Sequence, residues 1–563
     1  MNNKFIPKLK IIPLGGLEEI GRNMTLIEYA RDIIIIDMGL QFPEENMPGI
    51  DYIIPNIAYL KGKENYIRGV IITHGHFDHI GAIPHIMDRI GNPTIFTAKL
   101  TRAMIEKRQE EFDKKEKLSI YTISEQDQIQ LGQFKVEFFK VNHNIPDGYG
   151  VIVHSPVGTI IHTGDFKFDP TPVGDMPANK EKLAKIGKQG VLALMSDSTG
   201  AENSGHSISE KTIMETLNKI ISEAKGRIIL ATFSSLITRI QQVIFIAEKL
   251  GKKVAIEGFS MKTNVEICKK LGYLKTGKKI LVSTKQALKL PKDKIIILCT
   301  GAQGEEAAVL MRIANQDHKE IEIEKGDSVI FSSSVIPGNE RSVQRLKDNL
   351  TRLGADIFHY KMMDVHSSGH GFIDDLTEMI TLTKPKYFIP VHGNHFLLKL
   401  HGDIARNTNI VKDPNIFVCD NGQIMEYQKQ GETVVGELTK RKVPAGHVMV
   451  DGLGVGDVSN VVLRDRQAMA EDGMFVIILT MDGNTGKLVS DPDIISRGFV
   501  FMKESKRLIG QTKERIKKIL IDHDPKTSSN DTYIRNKVRD QIGQFLFTRT
   551  QRRPMILPVI IEV

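Results

Sequence analysis

Tryptophan is absent from the 563 residues, and cysteine occurs only three times, at Cys268, Cys299 and Cys419. The missing indole decides nothing about fold or function. The isolated cysteines form no C-x-x-C pair and no even framework, which excludes a disulfide-stapled scaffold and a cysteine-ligated zinc and points to a reducing compartment. No apolar run approaches the roughly 20 residues of a membrane span. The first residues, Met1-Asn2-Asn3-Lys4-Phe5-Ile6-Pro7-Lys8, lack the apolar core of a signal peptide. The expectation is therefore a cytoplasmic protein with no membrane partner. Internal repeats and low-complexity tracts are also missing. Charge of one sign is in small excess, with 76 Lys+Arg against 68 Asp+Glu, a net +8 and a pI near 9.0. That balance is compatible with a nucleic-acid partner and does not demonstrate one. At 41% hydrophobic and 26% charged the chain has ample material for cores, and its length suggests roughly two to four domains.

What is present is concentrated in one loop. Val70-Ile71-Ile72-Thr73-His74-Gly75-His76-Phe77-Asp78-His79-Ile80-Gly81 places three histidines and an aspartate within six residues, directly after a β-type apolar run. His74, His76 and His79 cannot share one face of a strand, so the segment must turn, and Gly75 permits the turn. The run Ile80-Gly81-Ala82-Ile83 can start a helix behind it. Imidazoles and a carboxylate aimed at a common point are ligands for a divalent first-row metal, zinc above all.

Along the chain, residues 9 to about 200 read as many short strands with few helices: Lys10 to Leu14, Met24 to Glu28, Ile33 to Asp37, Gly69 to Thr73, Phe134 to Val141, Gly150 to His154, Thr159 to Thr163 and Val191 to Ser196, with a helix from Ala98 to Phe112. From 208 the pattern alternates. Helices 208–224, 235–250, 304–314 and 339–353 are interleaved with strands Arg227 to Thr232, Lys253 to Glu257, Ile295 to Thr300 and Asp327 to Ser332, which implies a parallel α/β sheet. Helix 372–383, strand Tyr387 to Val391 and helix 394–406 follow. The polar stretch 428–444 reads as a linker or an edge hairpin. Residues 446–563 form a further unit of mixed strands and helices, with a basic helix at 503–520.

Three more ligand candidates stand at the ends of apolar strands with glycine close by: His143, Asp165 and His392. Each is weak alone and gains force beside the loop. The combination resembles the metallo-β-lactamase fold. By that resemblance His74, His76 and His143 hold one metal, Asp78, His79 and His392 hold a second, and Asp165 bridges two ions about 3.5–4 Å apart that share a water of lowered pKa. Two Zn2+ per subunit are implied, with Mn2+ or Mg2+ as possible substitutes.

The α/β insertion before His392 resembles the β-CASP domain of the nucleic-acid branch of that superfamily. The branch's acidic motif matches Asp197 in Leu194-Met195-Ser196-Asp197-Ser198-Thr199, and its histidine motif matches His370 in His366-Ser367-Ser368-Gly369-His370. Members acting on DNA tend to carry an apolar residue where this chain has His392, so RNA is favoured. The resemblance sharpens to the bacterial ribonuclease J family through Leu14-Gly15-Gly16-Leu17-Glu18-Glu19-Ile20-Gly21-Arg22-Asn23, Ser332-Ser333-Ser334-Val335-Ile336-Pro337-Gly338-Asn339-Glu340 and Asp451-Gly452-Leu453-Gly454-Val455-Gly456-Asp457-Val458. It spans nearly the whole chain. Two departures are Phe77, where the family usually has Glu, and Gly200, where Asn is common.

The implied architecture is α/β: a metallo-β-lactamase αββα sandwich in two parts (1–207 and 371–427), an inserted β-CASP α/β domain (208–370), a linker (428–445) and a small C-terminal α+β domain (446–563). The implied activity is 5′→3′ exonuclease and endonuclease cleavage of single-stranded RNA, acting in RNA maturation, ribosomal RNA processing and mRNA decay. A homodimer or homotetramer through the C-terminal domain, and RNA-decay or ribosome-associated partners, are further expectations of the resemblance. His370, oriented by Asp197, is expected to protonate the leaving oxygen. The alternative is that both only support the metal ligands. His366, Ser367, Ser368, Gly369, His370 and Ser333 read as a phosphate cradle, against ordinary helix-capping turns.

Weaker signals are set aside. The basic helix reads as a solvated face rather than an RNA surface. His85, His154, His318, His359, His401 and His447 read as structural, and nothing in the sequence supports a calcium at Asp51. The rivals are a DNA-processing β-CASP nuclease, a small-molecule hydrolase such as a thioesterase, and an inactive RNA-binding subunit.

Overall fold

The computed structural model describes residues 7–44, 46–112, 117–336, 338–452, 454–456, 458, 460–483, 485, 487–500, 505–521 and 531–563. It divides into two compact units, one of residues 1–41 with 53–448 and the other of 42–52 with 449–563.

Two sheets face each other in the first unit. One has eight strands, in the order Thr433–Lys442, Gln423–Gln430, Leu9–Gly15, Met24–Tyr29, Asp32–Ile36, Ile67–Ile71, Ile95–Thr97 and Ile120–Thr122. The other has six, in the order Pro385–Val391, Val191–Asp197, Thr159–His162, Tyr149–His154, Phe134–Lys140 and Gln128–Leu131. Side chains alternate across each strand. Val136 and Phe138 therefore point into the inter-sheet core with Ile34, Ile36 and Val151. Phe139 and Val141 point the other way, under Leu183, Leu376, Met379 and Ala405 of the outer helices Lys180–Gln189, Ile373–Thr383 and His395–Asn407. Apolar residues on both faces explain the unbroken runs such as Ile33-Ile34-Ile35-Ile36, buried throughout.

The insertion carries a six-stranded sheet, wholly parallel, in the order Leu281–Val282, Lys253–Glu257, Ile295–Cys299, Ile228–Ala231, Ser328–Phe331 and Asp356–His359. Ile228 and Leu230 face helices Glu210–Glu223, Ile237–Lys249 and Phe259–Leu271. Ile229 and Ala231 face Val309–Ala314 and Glu340–Arg352. The α/β sandwich and the parallel insertion agree with the fold expected from sequence.

The second unit has its own core. Strand Met474–Met481 alternates buried and half-buried residues between Asp493–Arg497 and Met555–Glu562. Helices Lys506–Ile521 and Asp531–Thr550 cover it with Ile509, Ile516, Ile519, Val538, Ile542 and Leu546. Lys503, the first residue of the expected basic helix, lies outside the described residues; Lys517 of that helix is ion-paired with Asp491 and Glu514.

Several elements differ from expectation. The stretch read as a linker or an edge hairpin is a hairpin, whose strands Gln423–Gln430 and Thr433–Lys442 extend the eight-stranded sheet. A free linker at 428–445 is therefore corrected through residue 442: polar side chains on an edge strand satisfy both solvent and ladder. The helix expected at 304–314 begins only at Val309. Helix Lys180–Gln189 was hidden by its lysines and Gly187, and starts from the Asn179 side chain accepting the Lys182 N–H.

Strand register sets the site. Val191–Asp197 runs parallel to both Thr159–His162 and Pro385–Val391, with Asp197 opposite Val391. The residues that follow, Asp165 and His392, emerge with Asp197 at the C-terminal ends of three adjacent parallel strands. His392 leaves its strand at φ 56°, with its N–H held by the Gly16 carbonyl at 2.7 Å.

Candidate metal centre

The loop after Ile67–Ile71 folds into a short helix, Phe77–Ile80, so His74 and His76 precede it and Asp78 and His79 ride on it. The structure brings all seven expected ligand residues together. His74, His76, His143 and Asp165 form one group, and Asp78, His79, Asp165 and His392 another, each with donor atoms within 4.8 Å of one another.

The hydrogen bonds fix where the lone pairs point. Thr73 Oγ1 donates to Asp37 (2.9 Å to Oδ2), so at 3.1 Å it accepts from His74 Nδ1–H. His143 Nδ1–H donates to the Gly369 carbonyl at 2.7 Å. Both Nε2 atoms are thereby lone-pair donors, and they meet His76 Nδ1 at 3.1 and 3.0 Å. One ring nitrogen cannot satisfy two lone pairs with one proton. Three nitrogens on a cation at about 2.0–2.1 Å would stand roughly 3.3 Å apart, so the cluster fits a zinc-type ion closely. Burial pulls His74 well below its ordinary value, His76 down to about 4 and His143 to about 3, which keeps the rings neutral.

The second group is richer in carboxylates. His79 Nδ1–H donates to Asp37 Oδ2 at 2.7 Å, leaving Nε2 facing Asp165 Oδ1 at 3.3 Å and Asp78 Oδ2 at 3.5 Å. His392 Nε2 lies 3.2 Å from Asp78 Oδ2. Burial works against charge on both imidazoles, but Asp165 and its neighbouring carboxylates outweigh it, raising His79 and pushing His392 up to about 10. This half of the site asks for positive charge, which a divalent cation supplies.

Asp165 spans the two. Its Oδ2 lies 3.6 Å from His74 Nε2 and 3.7 Å from His143 Nε2, while its Oδ1 lies 3.3 Å from His79 Nε2 and 3.4 Å from His392 Nδ1. A carboxylate that divides its oxygens between two histidine sets is placed as a bridge would be.

Beside this cluster His370 Nδ1–H donates to Asp197 Oδ2 at 2.7 Å, and the His370 ring stands 5.0 Å from His143 and 5.6 Å from His392. Burial disfavours the imidazolium, yet Asp197 raises His370 above its ordinary value; Asp197, also buried, is held well below the carboxylate range by His370.

The expected phosphate cradle is only partly open. Ser367 donates to the Ile208 carbonyl at 2.5 Å and accepts from Lys167 Nζ at 2.9 Å, a strut inside the protein rather than a free hydroxyl. Ser333 accepts from Gln303 at 3.2 Å, and Ser368 caps the His370 N–H at 3.1 Å. His366 is buried with Nδ1 lacking a hydrogen-bond partner. Gly369 is needed where it is: a Cβ there would fall 2.5 Å from the His143 ring.

Sequence reading missed Asp37, which holds both Thr73 and His79, and Thr199, whose hydroxyl contacts Asp197 Oδ1 at 2.8 Å and His392 Nδ1 at 3.0 Å. Asp37 carried a usable signal, an acid ending a buried strand as Asp165 nearly does. Gly200 has a steric reason, since a Cβ would lie 2.2 Å from the Gly371 carbonyl. Phe77 remains half exposed, against the Arg108 guanidinium. His401, read as structural, packs on Phe388 and contacts Ser198 Oγ at 3.0 Å. Asp51 accepts from the Gly452 N–H.

Family models match residues 17–213 (Metallo-beta-lactamase superfamily), 225–350 (Ribonuclease J, beta-CASP domain), 358–400 (Zn-dependent metallo-hydrolase RNA specificity domain) and 461–563 (Ribonuclease J C-terminal domain). Ribonuclease J2 of Bacillus subtilis (strain 168) is 38% identical over 563 residues, the whole of both chains. Ribonuclease J 1 of Streptococcus pyogenes serotype M3 is 40% identical over 98% of this chain and 97% of its own. A solved protein of unknown function from Enterococcus faecalis V583 shares the fold, with a TM-score of 0.52 at 15% identity over 74% of this chain and 100% of that one. Matched from end to end at such identity, with the β-CASP and C-terminal domains both in place, the chain belongs to the ribonuclease J family.

Proposed function

We propose that the chain is a metal-dependent ribonuclease that cuts single-stranded RNA from the 5′ end and internally, leaving a 5′-phosphate and a 3′-hydroxyl. The observation that carries the reading is Asp165 dividing its oxygens between two histidine groups, with the Asp197–His370 pair alongside. The RNA specificity domain match covers His370 and His392. His74, His76 and His143 would hold one ion, Asp78, His79 and His392 the other, and Asp165 would be shared between them. Two bound Zn2+, or Mn2+ or Mg2+ in their place, supply a nucleophile from water at neutral pH and neutralise phosphoryl charge. The chain's own part is the proton. His370, whose imidazolium form Asp197 favours against burial, presents Nε2–H to the departing 3′-oxygen, and Asp197 fixes the ring through Nδ1. The Ser368–Gly369 backbone carries the cradle's remaining donors for a terminal phosphate; His366 is neutral and buried at Nδ1.

The same reading places the protein in the cytoplasm, in RNA maturation and decay, and assigns self-association to the C-terminal unit. No helix among the described residues is long and apolar enough to cross a membrane. The test is cleavage of 5′-monophosphate and 5′-triphosphate RNA, beside DNA of equal length, by wild type, His76→Ala and His370→Ala with metal content assayed. Cleavage of RNA that is lost in both variants supports the proposal. Full activity in His76→Ala, or a preference for DNA, overturns it.

A further inference from the structure

A groove of about 180 Å³ opens beside His76. The metal loop lines it with Gly75, His76 and Phe77, and the inserted domain lines it with Ser234, Phe259 and Asn264 among others. Two of its lining side chains are aromatic and exposed, Phe77 at 43% and Phe259 at 80%. Two exposed phenylalanines lining one groove form a paired apolar surface that suits a ligand with an apolar face. Phe77 is also held in place: the Arg108 guanidinium stands 5.3 Å from its ring centroid.

The groove's position selects the ligand. It meets the metal cluster at His76, whereas the His370 ring meets the cluster at His143 and His392. With His370 protonating the departing 3′-oxygen, the nucleotide that leaves belongs at His370. The nucleotide that keeps the phosphate points away from His370, and the groove opens at His76, one ring beyond His143 as counted from His370. Its base then has the groove to enter. Every nucleobase presents a π-face, so stacking on phenylalanine tolerates any sequence. Asn264, whose amide donates to the Ser234 carbonyl at 2.9 Å, and the Ser234 hydroxyl add polar groups for a base edge.

We propose that Phe77 and Phe259 form a stacking slot for the nucleobase immediately 3′ of the cleaved bond. The proposal rests on the ribonuclease reading.

The test compares two unstructured 5′-monophosphate RNAs, identical except that one carries an abasic residue just 3′ of a single defined cleavage site. Both are given to wild type, Phe77→Ala, Phe259→Ala and the corresponding tyrosine variants. Wild type is expected to show a KM roughly 5- to 100-fold higher for the abasic RNA, the scale of one base–aromatic stack. In each alanine variant the two RNAs should share one KM, and tyrosine should restore the difference. Equal KM values in wild type, or full discrimination in both alanine variants, overturn the slot while leaving ribonuclease activity in place. If wild type cleaves neither RNA, the ribonuclease reading falls and the slot with it.

Discussion

Asp37 Oδ2 accepts a hydrogen bond from His79 Nδ1 at 2.7 Å, and both groups are buried. The other Asp37 oxygen takes the Thr73 N–H at 2.8 Å. An asparagine can keep the Thr73 bond with its oxygen, but its amide then faces His79 Nδ1 and drives the ring proton to Nε2, where the metal-facing lone pair belongs. Asp37→Asn is therefore expected to weaken metal affinity about 10- to 100-fold. A competition titration with a metal indicator reads this directly. The melting temperature of the metal-free variant should stay near that of wild type. Unchanged affinity would show that Asp37 does not orient His79.

Glu210 predicts an acid-labile contribution to stability. It is buried between Arg239, at 3.0 Å, and Lys167, at 3.2 Å. Burial raises its pKa, but the two cations outweigh that and bring it down to about 2. A carboxylate depressed on folding contributes stability above its unfolded value near 4.3, and loses it as pH falls through the folded value. The depression corresponds to about 3 kcal/mol, and breaking such a buried pair costs about 3–5 kcal/mol. Glu210→Gln should lower the unfolding free energy by that amount at pH 7. The gap to wild type should shrink between about pH 4.3 and pH 2, as read from urea unfolding at several pH values. A gap that does not change with pH would assign the loss to packing instead.

The seven candidate ligands were legible because each follows an apolar strand, directly in its loop or, for Asp78 and His79, on the short helix that the loop feeds, and strands of β-branched residues announce themselves. Asp165 and His392 needed only the pattern of apolar run, glycine and ligand type. Asp37 ends a strand in the same way and was passed over because no histidine stands near it in sequence; its partner His79 is 42 residues on. Ser367 failed in the other direction. A serine-rich turn before a histidine has the composition of a phosphate cradle, but nothing local reveals that Lys167 and the Ile208 carbonyl already take the hydroxyl. The short helix Val309–Ala314 was overextended back to 304 because Glu305, Glu306, Ala307 and Ala308 are good helix formers, although the backbone is extended at Ala308 and the helix starts only after it. Local pattern carried the strands and the ligands, and long-range hydrogen bonds carried what orients them.

Gly369→Ala probes one of those bonds. The added Cβ would lie 2.5 Å from His143 Cε1 and Nδ1, so either the ring or the backbone must move, and the 2.7 Å bond from His143 to the Gly369 carbonyl is strained. Overpacking of this kind typically costs about 1–3 kcal/mol. The expected outcome is a lower metal content per chain, measured by elemental analysis, together with at least a tenfold fall in RNA cleavage. Excess metal should restore part of the activity. A variant with full metal content and wild-type cleavage would mean that His143 tolerates the displacement.

Asp197→Asn separates the two roles open to the Asp197–His370 pair. With the carboxylate gone, asparagine no longer stabilises the imidazolium, and the Nδ1–H bond of 2.7 Å loses its charged acceptor. If His370 delivers the proton, kcat for RNA should fall by about 100- to 10,000-fold, the usual scale for general acid catalysis, while KM and metal content stay close to wild type. Replacing the 3′-oxygen leaving atom with sulfur, which leaves without needing a proton, should then rescue most of the loss. If the pair only supports the ligands, metal content should fall instead, because Asp197 Oδ1 also lies 3.5 Å from His392 Nδ1, and the sulfur substrate should be no better than the natural one. Rescue by the sulfur leaving group with full metal occupancy places the proton on His370; metal loss without rescue places Asp197 among the supports of the metal centre.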